Sequence, residues 1–187
     1  MDPGNRFSEL YRAHYDAVLR YALRRTDPET ARDVAAETFL VAWRRIDAVP
    51  ADPGQSGPWL YGVARLVLVN ADRSRRRVER LSVRLGQQRQ DDHSPDLAGQ
   101  VTERVRVERA LAGLPASDQE ALRLVGWEEL DLAEAARAMG CSRSTMAVRL
   151  HRARRRLERA LAAADFPETG STVSQVAPVP KISQETR

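Results

Sequence analysis

Residues 131–159, DLAEAARAMGCSRSTMAVRLHRARRRLER, leave the chain few alternatives. Asp131 can cap a helix, and Glu134 three residues on completes a capping-box pattern. Leu132, Ala135, Ala136 and Met139 then recur at helical spacing. Gly140 ends that helix, because only glycine takes left-handed dihedrals without a Cβ clash. Cys141 reads as a small buried hydrophobe at the turn, and Ser142 as the N-cap of the next helix. Met146, Leu150, Ala153 and Leu157 line one face of this second helix, while Arg149, Arg152, Arg156 and Arg159 charge the rest. The inner face of the first helix is small, so the second can cross it closely. This is helix-turn-helix geometry, which sends the start of its second helix into the major groove. The groove-facing candidates are Ser142, Arg143, Ser144, Thr145 and Arg149, since arginine can read guanine with two hydrogen bonds and a threonine methyl can touch thymine. Arg152, Arg155 and Arg156 fit phosphate contacts, which add affinity but little sequence information.

Charge supports a nucleic-acid partner through its distribution. The chain of 187 residues has a formal net charge of +4. Its basic residues are all arginine except Lys181, and they cluster at 73–80 and 143–159, which suggests two points of contact with nucleic acid. No run approaches the ~18 apolar residues of a membrane span. No basic stretch leading into an apolar one marks a signal peptide, so the expected compartment is the cytoplasm. The single cysteine excludes an internal disulfide framework. No nucleophile–base set, metal-ligand cluster or phosphate-binding loop is legible, so neither catalysis nor a metal or other cofactor is expected.

Before the linker, residues 6–81 read as a helical unit. Phe7, Leu10, Tyr11, Tyr15, Val18, Leu19, Ala22 and Leu23 follow a 3.6 period. Asp27 caps a second helix with Pro28 at its first position, where the missing N–H costs nothing. That helix packs Val34, Phe39, Ala42 and Trp43, and carries Asp33 and Glu37 one turn apart off its apolar face. Like charges at this spacing slightly destabilise a lone helix. A basic partner surface would relieve them; a solvated face is the alternative. Residues 47–57 read as a loop, with Ser56 capping a third helix that holds Trp59, Leu60, Val63, Ala64, Val67 and Leu68. Arg65, Asn70, Arg73 and Arg75 to Arg77 make its end basic, a fit for unwinding or single-stranded DNA. Trp59 suits the core, and Gln55 and Asn70 could hold a flipped base.

Residues 82–100 read as a flexible tether. A four-helix cluster follows over 101–161, with a capping box at Ser117 and Glu120 and with Trp127 anchoring its core. The tail at 162–187 is polar and broken by proline, and disorder is expected there. The fold class is therefore all-α: two small helical domains on a flexible linker, the second with the helix-turn-helix.

Four stretches in this order resemble the extracytoplasmic-function group of the bacterial sigma-70 family. FSELYRAHYDAVLRYALR is similar to the first helix of the promoter −10 domain, and TARDVAAETFLVAWRRI to its polymerase-binding helix. GPWLYGVARLVLVNADRSRRR is similar to the melting and −10-reading segment, and ELDLAEAARAMGCSRSTMAVRLHRARRRL to the −35-reading unit. The resemblance implies a sigma factor that directs promoter-specific initiation. It places Asp33, Glu37, Phe39 and Arg44 against the clamp helices of the largest core-polymerase subunit, and the second domain at the flap region. It assigns Gln55, Ser56, Trp59, Arg65, Asn70, Arg73 and Arg76 to the −10 element. Ser142, Arg143, Ser144, Thr145, Arg149, Arg152 and Arg155 fall to the −35 element. An anti-sigma protein is a family-level expectation. Two positions depart from the common pattern, Leu66 where asparagine is frequent and Asn70 where aspartate is. The competing reading is a stand-alone helix-turn-helix regulator in which residues 6–81 sense or dimerise.

Overall fold

Aspartate followed by proline starts three of the helices, because the carboxylate caps open N–H groups while proline supplies a helical φ and has no N–H to satisfy. In the computed structural model, which describes residues 2–84 and 103–165, Asp2 accepts from Asn5 N at 3.2 Å and opens α1, Pro3–Leu23. Asp27 accepts from Glu29 N at 3.1 Å and Thr30 N at 2.9 Å and opens α2, Pro28–Arg44. The Thr30 hydrogen bonds hold the Asp27 carboxyl down to about 2. Asp52 accepts from Gly54 N at 3.0 Å at the head of α3, Pro53–Arg84. A short 3-10 turn at Ile46–Ala48 precedes it.

The loop expected over 47–57 is thus shorter than its proline and glycine content suggests, because Asp52 and Pro53 turn residues 53–57 into the first turns of α3. Ser56 lies inside this helix and does not cap it. Its hydroxyl donates to Pro53 O at 2.9 Å and meets His14 Nε2 of α1 at 2.9 Å. Burial lowers the pKa of His14 and favours its neutral ring.

The second half consists of α4, Glu103–Ala112, α5, Ala116–Gly126, α6, Leu132–Met139, and α7, Arg143–Asp165. Helix α6 has the expected capping box, with Glu134 N donating to Asp131 Oδ1 at 2.7 Å and Asp131 N to Glu134 Oε2 at 2.8 Å. Gly140 takes φ 64° and stops it. Thr145 N donates to Ser142 Oγ at 3.1 Å at the start of α7. The capping box expected at Ser117 does not form. Helix α5 begins two residues earlier than a Ser117 cap would set it, behind Pro115 with no side-chain cap, so Ser117 lies already within its first turn. Trp127 is half-buried at the end of α5 and does not anchor the core; Leu124, fully buried, has that place. Cys141 is half-buried. All regular elements among the described residues are helical. None of these helices is long and apolar enough to cross a membrane. The tether expected over 82–100 and the tail expected over 162–187 lie outside the described residues except at their starts, where α3 continues to Arg84 and α7 to Asp165.

The two halves pack together. Val18, Tyr21, Phe39 and Leu60 of the first half form one continuous buried cluster with Leu124, Ala135, Ala138 and Met146 of the second. Helix α6 is covered by α3 as well as by α5 and α7. The sequence reading assigned its small face to α7 alone.

Candidate nucleic-acid and protein interfaces

Three surfaces carry the residues singled out by sequence. The first lies on α1 and α2. The apolar positions of α1 outnumber those one helix face can bury, so some rings remain at the surface. Phe7, Tyr11 and Tyr15 meet Phe39, Leu40 and Trp43 around an open groove of about 550 Å³. Tyr11 stacks on Tyr15 with centroids 4.8 Å apart, and Phe7 meets Trp43 edge-on at 5.2 Å. Trp43 is 46% exposed and Leu40 40%, whereas Phe39 is buried beneath Tyr11 and Tyr15. Phe39 therefore supports this face from below and does not present itself on it. Asp33, Glu37 and Arg44 are all exposed on α2. Exposed rings at this density make the face a candidate interaction surface. The 3.6 period read over α1 did not separate Phe7, Tyr11 and Tyr15 from the buried positions; the surplus of apolar positions on α1 was the available signal.

The second surface is on α3. Gln55, Trp59, Arg65 and Asn70 line a cleft of about 1040 Å³, with Glu37 and Arg44 at its edge. Trp59 is half-buried against the core, as its apolar neighbours suggest. Ser56 stands apart from this group: it is 4% exposed and its hydroxyl is engaged by His14 and Pro53. Arg73 and Arg76 belong to the adjoining cleft of about 850 Å³. Arg76 pairs with Asp72 at 2.8 Å at an exposed site, a contact worth little on its own. The far wall of the larger cleft is α6, through Arg137, Ala138 and Gly140.

The third surface is the start of α7. Ser142, Arg143, Ser144 and Thr145 are exposed, and Ser142 Oγ lies 3.0 Å from Ser144 Oγ and 2.8 Å from Thr145 Oγ1. Arg149 and Arg152 join Ser144, Thr145 and Val148 around a concavity of about 420 Å³. Arg155 is exposed further along the helix. Arg156, expected at phosphate, instead forms a close ion pair with the buried Asp118 and ties α7 to α5. No group of His, Cys, Asp and Glu among the described residues could hold a metal ion.

Residues 10–78 match the family Sigma-70 region 2, and residues 104–157 match Sigma-70, region 4. The ECF RNA polymerase sigma factor SigL of Mycobacterium tuberculosis is 30% identical over 149 residues, covering 79% of this chain and 84% of that protein. The RNA polymerase sigma factor YlaC of Bacillus subtilis is 29% identical over 157 residues, covering 81% and 89%. Among solved structures, the sigma factor RpoE in complex with the anti-sigma factor NepR from Bartonella quintana shares the fold, with a TM-score of 0.62 at 24% identity over 83% of this chain and 95% of that one. With both family regions present in order, and a relative of this identity matched over most of its length, the chain belongs to the extracytoplasmic-function group of the sigma-70 family and is an RNA polymerase sigma factor.

Proposed function

We propose that the three surfaces divide the work of initiation. Asp33, Glu37, Arg44 and the ring face with Trp43 dock on the clamp helices of core polymerase, and the second domain meets the flap region. Gln55, Trp59, Arg65, Asn70, Arg73 and Arg76 take the −10 element as it unpairs. The exposed start of α7, with Arg149, Arg152 and Arg155 behind it, reads the −35 element in the major groove. The observation that supports this most is the pairing of that polar helix start with a separate acidic and aromatic face. A stand-alone regulator needs only the helix start. Each weak DNA contact gains from the local concentration that the other creates. The chain itself breaks no bond; core polymerase supplies catalysis, and the site of action is the cytoplasm. The Bartonella quintana relative was solved with an anti-sigma factor, and a protein inhibitor covering the same faces fits this chain too.

Run-off transcription tests the reading. The purified chain, added to sigma-free core polymerase on promoter fragments from its host, yields discrete transcripts that require it. DNA binding without initiation, on a template competent with another sigma factor, favours the stand-alone regulator. Within this scheme, Arg149→Ala reduces binding to a −35 duplex by about 1–3 kcal/mol and relaxes preference at one base pair. Equal loss on every duplex sequence makes Arg149 a phosphate contact instead.

A further inference from the structure

Helix α3 buries one face and turns another toward the larger cleft. Leu60 and Ala64 are fully buried on the first. Gln55, Trp59, Val63, Leu66, Asn70 and Ser74 recur every third or fourth residue and so form a single stripe along the helix. All six line the cleft of about 1040 Å³. The stripe is polar at both ends and apolar in the middle. Trp59 and Val63 are half-buried, and Trp59 packs against the core cluster. Leu66 differs from both. It is 55% exposed, with Arg65 just before it and the exposed Asn70 one turn on.

A single exposed leucine is ordinary in a folded protein. This one stands on the surface assigned to the −10 strand, among groups suited to polar contact, and it offers a partner only apolar area. Among the groups that base edges present, one is aliphatic, the C5-methyl of thymine. That methyl sits beside O4 on the thymine ring. Residues four apart on a helix have Cβ atoms about 5–6 Å apart. A base whose methyl meets Leu66 therefore brings O4 and N3–H within reach of Asn70. The Asn70 amide can donate to O4 and accept from N3–H together. Cytosine has the same ring but lacks both the methyl and the O4 acceptor, and the purines carry no aliphatic group. In a duplex, N3–H is taken by the paired adenine, so the full set of contacts exists only on an unpaired strand.

We infer that Leu66 is a specificity-determining residue of the −10 surface, and that it selects an unpaired thymine by covering its C5-methyl while Asn70 takes the neighbouring O4 and N3–H. The inference rests on the −10 assignment of α3 proposed above. It gives the cleft a preferred base where the arginines around it supply only attraction to phosphate. Because the contacts are complete only after the strands part, they favour the open promoter as well as the correct one.

Replacing thymine by deoxyuridine, which lacks this methyl and is otherwise identical, tests the inference. Holoenzyme assembled from core polymerase and the full chain is titrated with fork templates. These are duplex over the −35 element and unpaired over the −10 element mapped by run-off transcription. Each −10 thymine is replaced in turn. At one position the parent binds the deoxyuridine template about fourfold more weakly, the value of one buried methyl. In Leu66→Ala, with unchanged helix content, affinity for the thymine template falls to that for deoxyuridine and the difference at this position vanishes. Leu66→Met keeps an apolar side chain and retains the difference. Asn70→Asp keeps an acceptor but loses the donor to O4, so preference at the same position shifts toward cytosine, whose N4–H2 donates. A −10 element without thymine, or a parent indifferent to deoxyuridine at every position, overturns the inference. Discrimination that survives Leu66→Ala also overturns it. Equal weakening by Leu66→Ala on all templates makes the leucine a base-independent support and removes the methyl contact. If holoenzyme responds to the −35 sequence but to no change in the unpaired strand, the −10 assignment of α3 falls and the thymine contact falls with it.

Discussion

Reversing both charges on the outer face of α2, Asp33→Arg with Glu37→Arg, lowers affinity for core polymerase by about 100-fold or more and leaves folding intact. Both carboxylates are exposed, and neither is paired in the structure's ion pairs among the described residues. Surface positions of this kind change stability by about 0.5 kcal/mol or less. The reversed pair also keeps one like-charge repulsion one turn apart, so helix α2 gains and loses little. Binding responds differently. Two new positive charges facing a basic partner cost several kcal/mol at an interface, and about 2.7 kcal/mol already corresponds to 100-fold. The measurement is a titration of labelled sigma with core polymerase, beside a denaturation curve for each protein. Unchanged core affinity, with a folded variant, rejects α2 as the docking helix and returns the acidic pair to the status of a solvated face.

Met146→Ala acts on the other half and on stability. Met146 is fully buried at the first turn of α7, in the same cluster as Leu124, Ala135 and Ala136. Truncation removes its transfer free energy and leaves a cavity, about 2–5 kcal/mol for a buried Met-to-Ala change. The small inner face of α6 cannot move in to fill the space, because α3 holds it from behind through Gly62 and Ala138. The loss appears as a lower denaturant midpoint, and −35 duplex binding falls because the helix-turn-helix angle depends on this contact. A shift in unfolding free energy below about 1 kcal/mol would place the site among those that collapse around a deletion. It would show that α6 is not held as firmly as the packing suggests.

The helix-turn-helix was legible because its signals are local. Asp131 with Glu134, the glycine at 140 and the serine at 142 each act within one turn of chain, and each does in the structure what its type dictates. The same local chemistry at Asp52–Pro53 was overridden by the composition around it. Two prolines and two glycines suggested a loop, although the pair repeats the pattern at Asp27–Pro28. Ser117 failed for another reason: its spacing to Glu120 fits a capping box, but the helix already starts behind Pro115, and Glu120 is bonded to Tyr21 and Arg25 of the other half. Arg156 was similarly redirected by Asp118. Partners nearly 40 to 100 positions away along the chain leave no trace in a short window of sequence. The ring face of α1 and α2 was visible as an excess of apolar positions, but which rings remain exposed depends on how the two helices pack.

Arginine does two opposed jobs in this chain, and dissolved salt acts on both. Contacts between arginine and phosphate weaken as counterions become more abundant, because their release upon binding gains less entropy. The grip of Arg24 on Glu128 is partly open to solvent and is screened as well, whereas the grip of Arg25 is sheltered. Rising electrolyte thus weakens the DNA contacts of the exposed arginines far more than it weakens the sheltered Arg25 pairs that join the two halves.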